Sequence, residues 1–170
     1  MNFETLCKER YSVRKFSNKP IPDDLLNKVL EVGNTAPSAK NQNPVRLIIC
    51  KSEDALNKAK NCSPCIYGAP AVIIICIDKN VCWNSPDGER SSDAIDATLV
   101  GSQLMLSATE QGLGTCFVLL FDPDKTKALF DLPENIKPIF FLPIGYPADT
   151  CKPNERHYIR NDLKDIITIL

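Results

Sequence analysis

The run from Ala71 to Ile77 (AVIIICI) contains no polar side chain. A bilayer span needs ~20 apolar residues, so this segment is far too short to cross one. It also lacks the apolar–polar alternation of a strand with one wet face. An unbroken apolar strand must be covered on both faces. The chain therefore has to place other elements on each side of a sheet. The segment from Ser92 to Gln111 adds a second demand. Its residues Ala94, Ile95, Ala97, Leu99, Val100, Leu104, Met105, Leu106 and Ala108 wrap most of a helical circumference. A helix that apolar is buried in a large core or between subunits. Ser92 suits its N-cap and Gly112 its C-cap.

The remaining elements alternate around these two. Asn2 to Glu9 predicts a short helix with Phe3 and Leu6 on one face. Pro22-Asp23-Asp24 is a helix start with acids at the positive end of the dipole, followed by Leu25, Leu26, Val29, Leu30 and Val32. Gly33-Asn34 stops that helix. Val45 to Cys50 reads as a strand and Glu53 to Ala59 as a helix. Asn80 to Gly88 reads as a loop, Thr115 to Leu120 as a third strand, Pro123 to Phe130 as a helix and Ile139 to Ile144 as a fourth strand. The class is α+β, a central mixed β-sheet flanked by helices. No repeat or linker divides the chain, so residues 1–170 read as a single domain. The end of the tail at 148–170, with Leu163, Ile166, Ile167, Ile169 and Leu170, is apolar without an obvious place in that core, and it is expected to pack on a partner subunit.

Charge narrows the function classes. Lys and Arg total 20 against 21 Asp and Glu, for a net charge of −1. Bulk electrostatics give no reason to expect a nucleic-acid partner, so any basic site is local. The first 16 residues are too charged for a signal core, which makes the cytoplasm the expected location and a membrane role unexpected. Eight cysteines are many. Cys50 and Cys76 end strand-like runs and Cys116 lies inside another, where cysteine acts as a small buried hydrophobe. Cys62-Ser63-Pro64-Cys65 is a CxxC that fits a redox pair or half a metal site, but no second CxxC completes it, and a structural reading is favoured.

Two short segments carry the chemistry. Arg10-Tyr11-Ser12-Val13-Arg14 places two guanidiniums and a hydroxyl within five residues. Planar guanidinium forks match phosphate oxygens, and Ser adds a neutral donor. Ala36 to Pro44 (APSAKNQNP) is a turn rich in amides and hydroxyls, suited to a ligand with scattered polar edges. Taken alone, the arginines read as surface charge beside a helix end, and Ser38, Asn41 and Asn43 as ordinary turn chemistry. His157, the only histidine, lies in a polar tail where solvent exposure is the usual state. No GxSxG elbow exists for it to serve. Gly112-Leu113-Gly114 follows a helix and reads as a helix stop, not a dinucleotide fingerprint.

Taken together, Arg10–Phe16 (RYSVRKF), Pro20–Leu30 (PIPDDLLNKVL), Ala36–Pro44, Ala69–Cys76 (APAVIIIC), Asp93–Leu106 (DAIDATLVGSQLML), Gly112–Cys116 (GLGTC) and Ile144–Pro147 (IGYP) resemble, in order, the short form of the nitroreductase family. The resemblance implies an FMN-dependent oxidoreductase, an intertwined homodimer with two flavins at the subunit interface. By resemblance, Arg10 and Ser12 hold the FMN phosphate, with Tyr11 between them, and Arg156 reaches it from the tail. Arg14 lies near the pyrimidine edge, where its charge stabilises the anionic reduced ring. Pro37, Ser38, Ala39 and Asn41, with Asn43 beside them, contact the same flavin from the other subunit. Leu119 and Leu120 place backbone beside the ring's N5 region. The implied reaction moves hydride from NADH or NADPH through flavin N5 to a nitroaromatic, a quinone or another electron-poor small molecule.

Departures from the family pattern bear on specificity. The usual Gln-Pro-Trp is here Asn43-Pro44-Val45, Leu119-Leu120 is bulkier than the small residues common there, and the stretch from Lys60 to Gly68 is short. They leave open a flavin-binding or sensing protein with little turnover, and an enzyme acting on a dedicated metabolite.

Overall fold

The computed structural model describes residues 2–170. Six helices and four strands follow in the order α1 (Phe3–Glu9), α2 (Asp23–Gly33), β1 (Val45–Cys50), α3 (Glu53–Cys62), β2 (Ala71–Asp78), α4 (Asp93–Glu110), β3 (Gly114–Thr115), α5 (Pro123–Leu129), β4 (Ile136–Gly145) and α6 (Leu163–Ile166). Short 3₁₀ turns lie at Ala39–Asn41 and Glu155–Tyr158. No helix among the described residues is long and apolar enough to cross a membrane.

The sheet runs β1-β2-β4-β3 and every ladder in it is antiparallel. Among the described residues the one parallel pairing is an isolated bridge between Ser12 and Thr115, outside the named strands. β2 divides its apolar run between two cores. Ala71, Ile73, Ile75 and Ile77 join Phe140, Leu142 and Ile144 under α2 and α4. Val72, Ile74 and Cys76 join Cys50, Ala59, Cys62 and Phe141 under α3 and α5. All seven side chains are buried, so the sequence pattern is explained by cover on both faces. β4 bulges against β2 between the pairs Ile75–Phe140 and Cys76–Pro138, and Pro138 stands at that irregularity.

α4 ends as its sequence predicts. Gly112 lies in the left-handed region at φ +75°, Gly112 N–H donates to the Thr109 carbonyl at 3.0 Å, and Leu113 N–H to the Ala108 carbonyl at 2.8 Å. These bonds close a Schellman motif. Its start differs from expectation. Ser92 occupies the N-cap position, but its hydroxyl donates to the Asp96 carboxylate at 2.6 Å and caps no backbone amide. The third strand is also shorter than predicted. After Thr115, Cys116 N–H donates to the Pro143 carbonyl of β4 at 3.2 Å and Val118 exchanges bonds of 2.9 and 3.0 Å with Phe141, while Leu119-Leu120 leave the sheet. α3 runs three residues beyond the expected end, to Cys62, and so opens directly into the CxxC turn.

Residues 10–17 form no regular element yet are tightly held. Val13 N–H donates to the Thr115 carbonyl at 2.9 Å, Ser17 N–H to the Tyr146 carbonyl at 2.9 Å, and Ala148 N–H to the Lys15 carbonyl at 3.0 Å. Val13 is 1% exposed and packs with Phe16 and Ala69. This close approach requires Gly114, where a Cβ would stand 2.3 Å from Val13 Cγ2 and 3.1 Å from Pro147 Cγ. Neither neighbour can retreat without moving the pinned loop. Gly114→Ala is therefore expected to destabilise the fold by roughly 1–3 kcal/mol through overpacking. Urea unfolding measures this, and a midpoint equal to the unsubstituted protein's would show that the loop has room to yield.

Candidate functional site

The pinned segment presents one wall of a basic groove. Arg10, Tyr11, Ser12 and Arg14 line it with Asn154, Arg156, His157 and Arg160, around a cavity of about 550 Å³. The lining residues carry four guanidiniums, the Tyr11 and Ser12 hydroxyls, the Asn154 amide and an imidazole, and among the described residues no carboxylate lines the space. Among the described residues, the ion pairs do not include Arg10, Arg14, Arg156 or Arg160. The two walls are stitched together across the chain. The Tyr11 hydroxyl donates to the Cys151 carbonyl at 3.3 Å, and His157 Nε2 lies 3.0 Å from the Lys8 carbonyl oxygen. Tyr11 and His157 meet edge-on at 6.4 Å.

His157, Asn154 and Arg160 are additions to the residues expected from sequence. His157 is half-buried, not free in solvent, because its ring closes the groove against Lys8 and Tyr11. Arg160 is oriented by the tail's own backbone, its Nη1 donating to the His157 and Ile159 carbonyls at 2.6 and 2.7 Å. The signal available in sequence was the spacing Arg156-His157…Arg160, one turn of basic residues.

A guanidinium cluster without counter-ions matches a dianionic phosphate in charge and in geometry. Behind the groove, burial raises the Cys116 thiol pKa, while Arg14, Ser12 and Arg10 pull it part of the way back. Burial, with a neighbouring thiol, pushes Cys50 up to about 11 and Cys76 up to about 12. Both remain thiols at neutral pH and are poor nucleophiles. All eight cysteines are free. Among the described residues no cluster of three or more potential metal ligands occurs.

The polar turn lies elsewhere on the chain. Pro37, Ser38 and Ala39 line a largely apolar cavity of about 650 Å³ with Trp83, Ile95 and Leu99. Ser38 and Asn43 line a smaller one behind it. The turn is held by its own side chains. The Ser38 hydroxyl accepts from Asn43 N–H at 2.9 Å, and the Asn43 amide donates to the Asn41 carbonyl at 2.9 Å. Ala39 N–H donates to Asp96, a carboxylate only 1% exposed that also accepts from Ser92. Lys40, Asn41 and Asn43 all take positive φ, of 51°, 55° and 48°. Asn tolerates that conformation, but for Lys40 it costs about 1–2 kcal/mol. Strain of this kind collects where a backbone shape is used. Leu119 and Leu120 form a third location, 67% and 66% exposed. One chain thus gathers Arg10, Tyr11, Ser12, Arg14 and Arg156 into one groove and leaves the turn and the dileucine outside it.

The profile of the Nitroreductase family matches the chain over residues 7–64 and 51–146. An NADPH-dependent oxidoreductase of Staphylococcus aureus USA300 is 28% identical over 161 residues, covering 85% of this chain, which spans 64% of that protein's length. A nitroreductase family protein from Clostridium difficile 630 superposes with a TM-score of 0.92 at 37% identity, over 99% of this chain and 98% of that one. A chain from Exiguobacterium sibiricum 255-15, assigned as a nitroreductase and solved in complex with FMN, shares the fold with a TM-score of 0.84 at 22% identity, over 100% and 98%. With both halves of the sequence matched and the same architecture carrying the guanidinium groove, the chain belongs to the nitroreductase family.

Proposed function

We propose that this protein binds FMN in the basic groove and acts as an NAD(P)H-dependent oxidoreductase on electron-poor small molecules such as nitroaromatics and quinones. The observation that carries the reading is the groove itself: four guanidiniums and two hydroxyls with no carboxylate among the lining residues. The printed descriptions of the relatives, an NADPH-dependent oxidoreductase and a chain solved with FMN, support the same assignment. FMN, when bound, supplies two-electron hydride chemistry, so the protein's task is binding, orientation and electrostatics.

Arg10, Ser12 and Arg156 would hold the phosphate, Arg160 adding charge from the tail. Arg14 would offset the negative charge of the reduced ring. Pro37, Ser38, Ala39, Asn41 and Asn43 would meet the ring from a second subunit, in a turn whose shape is already fixed by internal bonds. Separation of these residues within one chain supports a homodimer with the cofactor between subunits. The exposed apolar side chains at Ile95 and Leu99 on α4, and at Leu163, Ile166, Ile167, Ile169 and Leu170 in the tail, support the same assembly. The exposed dileucine keeps a second reading in play, a flavin-binding protein with little turnover.

The absorbance spectrum of the purified protein tests the cofactor. Flavin bands at one FMN per chain are expected, and a colourless protein that fails to take up added FMN overturns the reading. Steady-state oxidation of NADH or NADPH in the presence of a quinone separates the enzyme from the low-turnover alternative.

Arg10→Ala removes one charge-assisted contact and should weaken FMN binding by about tenfold to a hundredfold, roughly 1.5–3 kcal/mol. Titration of apoprotein measures it, and an unchanged dissociation constant removes Arg10 from the site. Arg14→Gln keeps side-chain length but deletes the charge. Its two-electron potential should fall by ~30 mV, about 1.4 kcal/mol, with oxidised FMN affinity less affected than in Arg10→Ala. A potential that stays put, with FMN bound, places Arg14 outside the ring's field. Light scattering should give a dimer, and deletion of residues 163–170 should lower solubility. A flavin-loaded monomer would sink the shared-site arrangement.

A further inference from the structure

The basic groove holds more positive charge than FMN can use. A phosphate monoester carries up to two negative charges at neutral pH. Arg10 and Arg156 match those two, with Ser12 as a neutral donor, and Arg14 answers the single charge of the reduced ring. Arg160 is the fourth guanidinium lining the same cavity of about 550 Å³, and no negative group of the flavin is left for it. Among the described residues it belongs to none of the ion pairs. Guanidiniums gathered around one cavity repel one another, and a further anion relieves that repulsion.

Arg160 is already oriented to receive one. Its Nη1 donates to the His157 and Ile159 carbonyls at 2.6 and 2.7 Å. A guanidinium has five N–H donors, and these bonds commit the two on Nη1. Nε and Nη2 make no hydrogen bond among the described residues, and together they form a fork that matches two oxygens of one phosphate. Because backbone holds the other edge of the group, little side-chain freedom remains to be lost on binding. Two residues earlier, the Tyr158 ring is 72% exposed and meets His157 edge-on at 4.9 Å. An exposed aromatic ring offers a face on which a base stacks.

NADH and NADPH differ only at the 2′ position of the adenosine ribose, a hydroxyl in one and a phosphate in the other. A 2′-hydroxyl is read by a carboxylate acceptor and a 2′-phosphate by an arginine. Among the described residues no carboxylate lines the groove, whereas Arg160 presents an unoccupied fork.

We propose that Arg160 is a specificity-determining residue for the electron donor: it binds the 2′-phosphate of NADPH, Tyr158 receives the adenine, and the protein selects NADPH over NADH. This rests on the FMN reading above. The charge of Arg160 adds to the field around FMN, but its hydrogen bonds go to the second ligand. The groove then serves two phosphates from two molecules.

The test uses the FMN-loaded protein and Arg160→Gln, with flavin kept saturating so that any loss of FMN affinity is shared by both donors. In the unsubstituted protein kcat/KM should favour NADPH over NADH by about tenfold or more, the worth of one charge-assisted contact. Arg160→Gln should lower that ratio about tenfold, chiefly through KM for NADPH. Titration with adenosine 2′,5′-bisphosphate and with 5′-ADP separates recognition of the 2′-phosphate from attraction to charge in general. The 2′,5′ isomer should bind about tenfold more tightly, and Arg160→Gln should erase the difference. If turnover is too slow to measure, the titration decides alone. Equal use of the two donors with equal binding of the two nucleotides overturns the proposal and leaves FMN in place. A glutamine variant that loses FMN affinity but keeps the donor ratio assigns Arg160 to the flavin phosphate and also overturns it. A protein that takes up no FMN overturns both readings.

Discussion

β2 has no face it can show to water. Four isoleucines, a valine, an alanine and a cysteine in one strand mean that every residue needs a dry neighbour, above the sheet and below it. Fully burying one such aliphatic side chain contributes about 1.5–3 kcal/mol, so the strand commits a large apolar surface to the core. The arrangement of the helices follows from it. α2 and α4 close one side, and α3 and α5 close the other. Antiparallel sheets often leave one face solvated. This one is sandwiched because its central strand admits no alternative.

The site inherits its rigidity from that sandwich. β4 pairs with β2 along its length, and its last residues carry β3 and the turn beyond Gly145. Residues 10–17 dock against that corner, with Val13 over Gly114 as the point of closest approach. The arginines on either side of Val13 are therefore displayed from a segment with buried anchors, although it belongs to no helix or strand. On the opposite side of the sheet the same logic reaches Leu119 and Leu120, through the Phe121–Phe141 stack and the buried Ser63 hydroxyl.

Much of this was legible in the residues. Unbroken apolarity at 71–77 and helical wrapping at 92–111 are strong periodic signals, and both elements lie where they point. Arg10, Ser12, Arg14 and Arg156 do converge on one groove. What escaped was set by distant partners. Ser92 sits at a helix start, where a cap is the local expectation, but the buried Asp96 four residues on captures its hydroxyl. The apolar stretch 115–120 has strand composition, yet beyond Thr115 it meets β4 only through single contacts, Cys116 N–H at the Pro143 carbonyl and Val118 beside Phe141. His157 and Arg160 join the groove because Lys8 and Tyr11, nearly the whole chain away, lie against them. Nothing in Cys62-Ser63-Pro64-Cys65 announces that the Ser63 hydroxyl bonds a carbonyl 57 residues later.

The stitching of the basic groove has a consequence for how the protein is made. Its N-terminal wall is held by Thr115, Tyr146, Ala148 and Cys151, and its second wall comes from residues 154–160. A ribosome releases Arg10 more than a hundred residues before the first of these partners. Loop closure over such separations is slow compared with local helix formation. Arg10 and Arg14 therefore wait for partners from the C-terminal half of the chain before their wall of the groove can be held. The groove cannot close until residues 154–160 have been made.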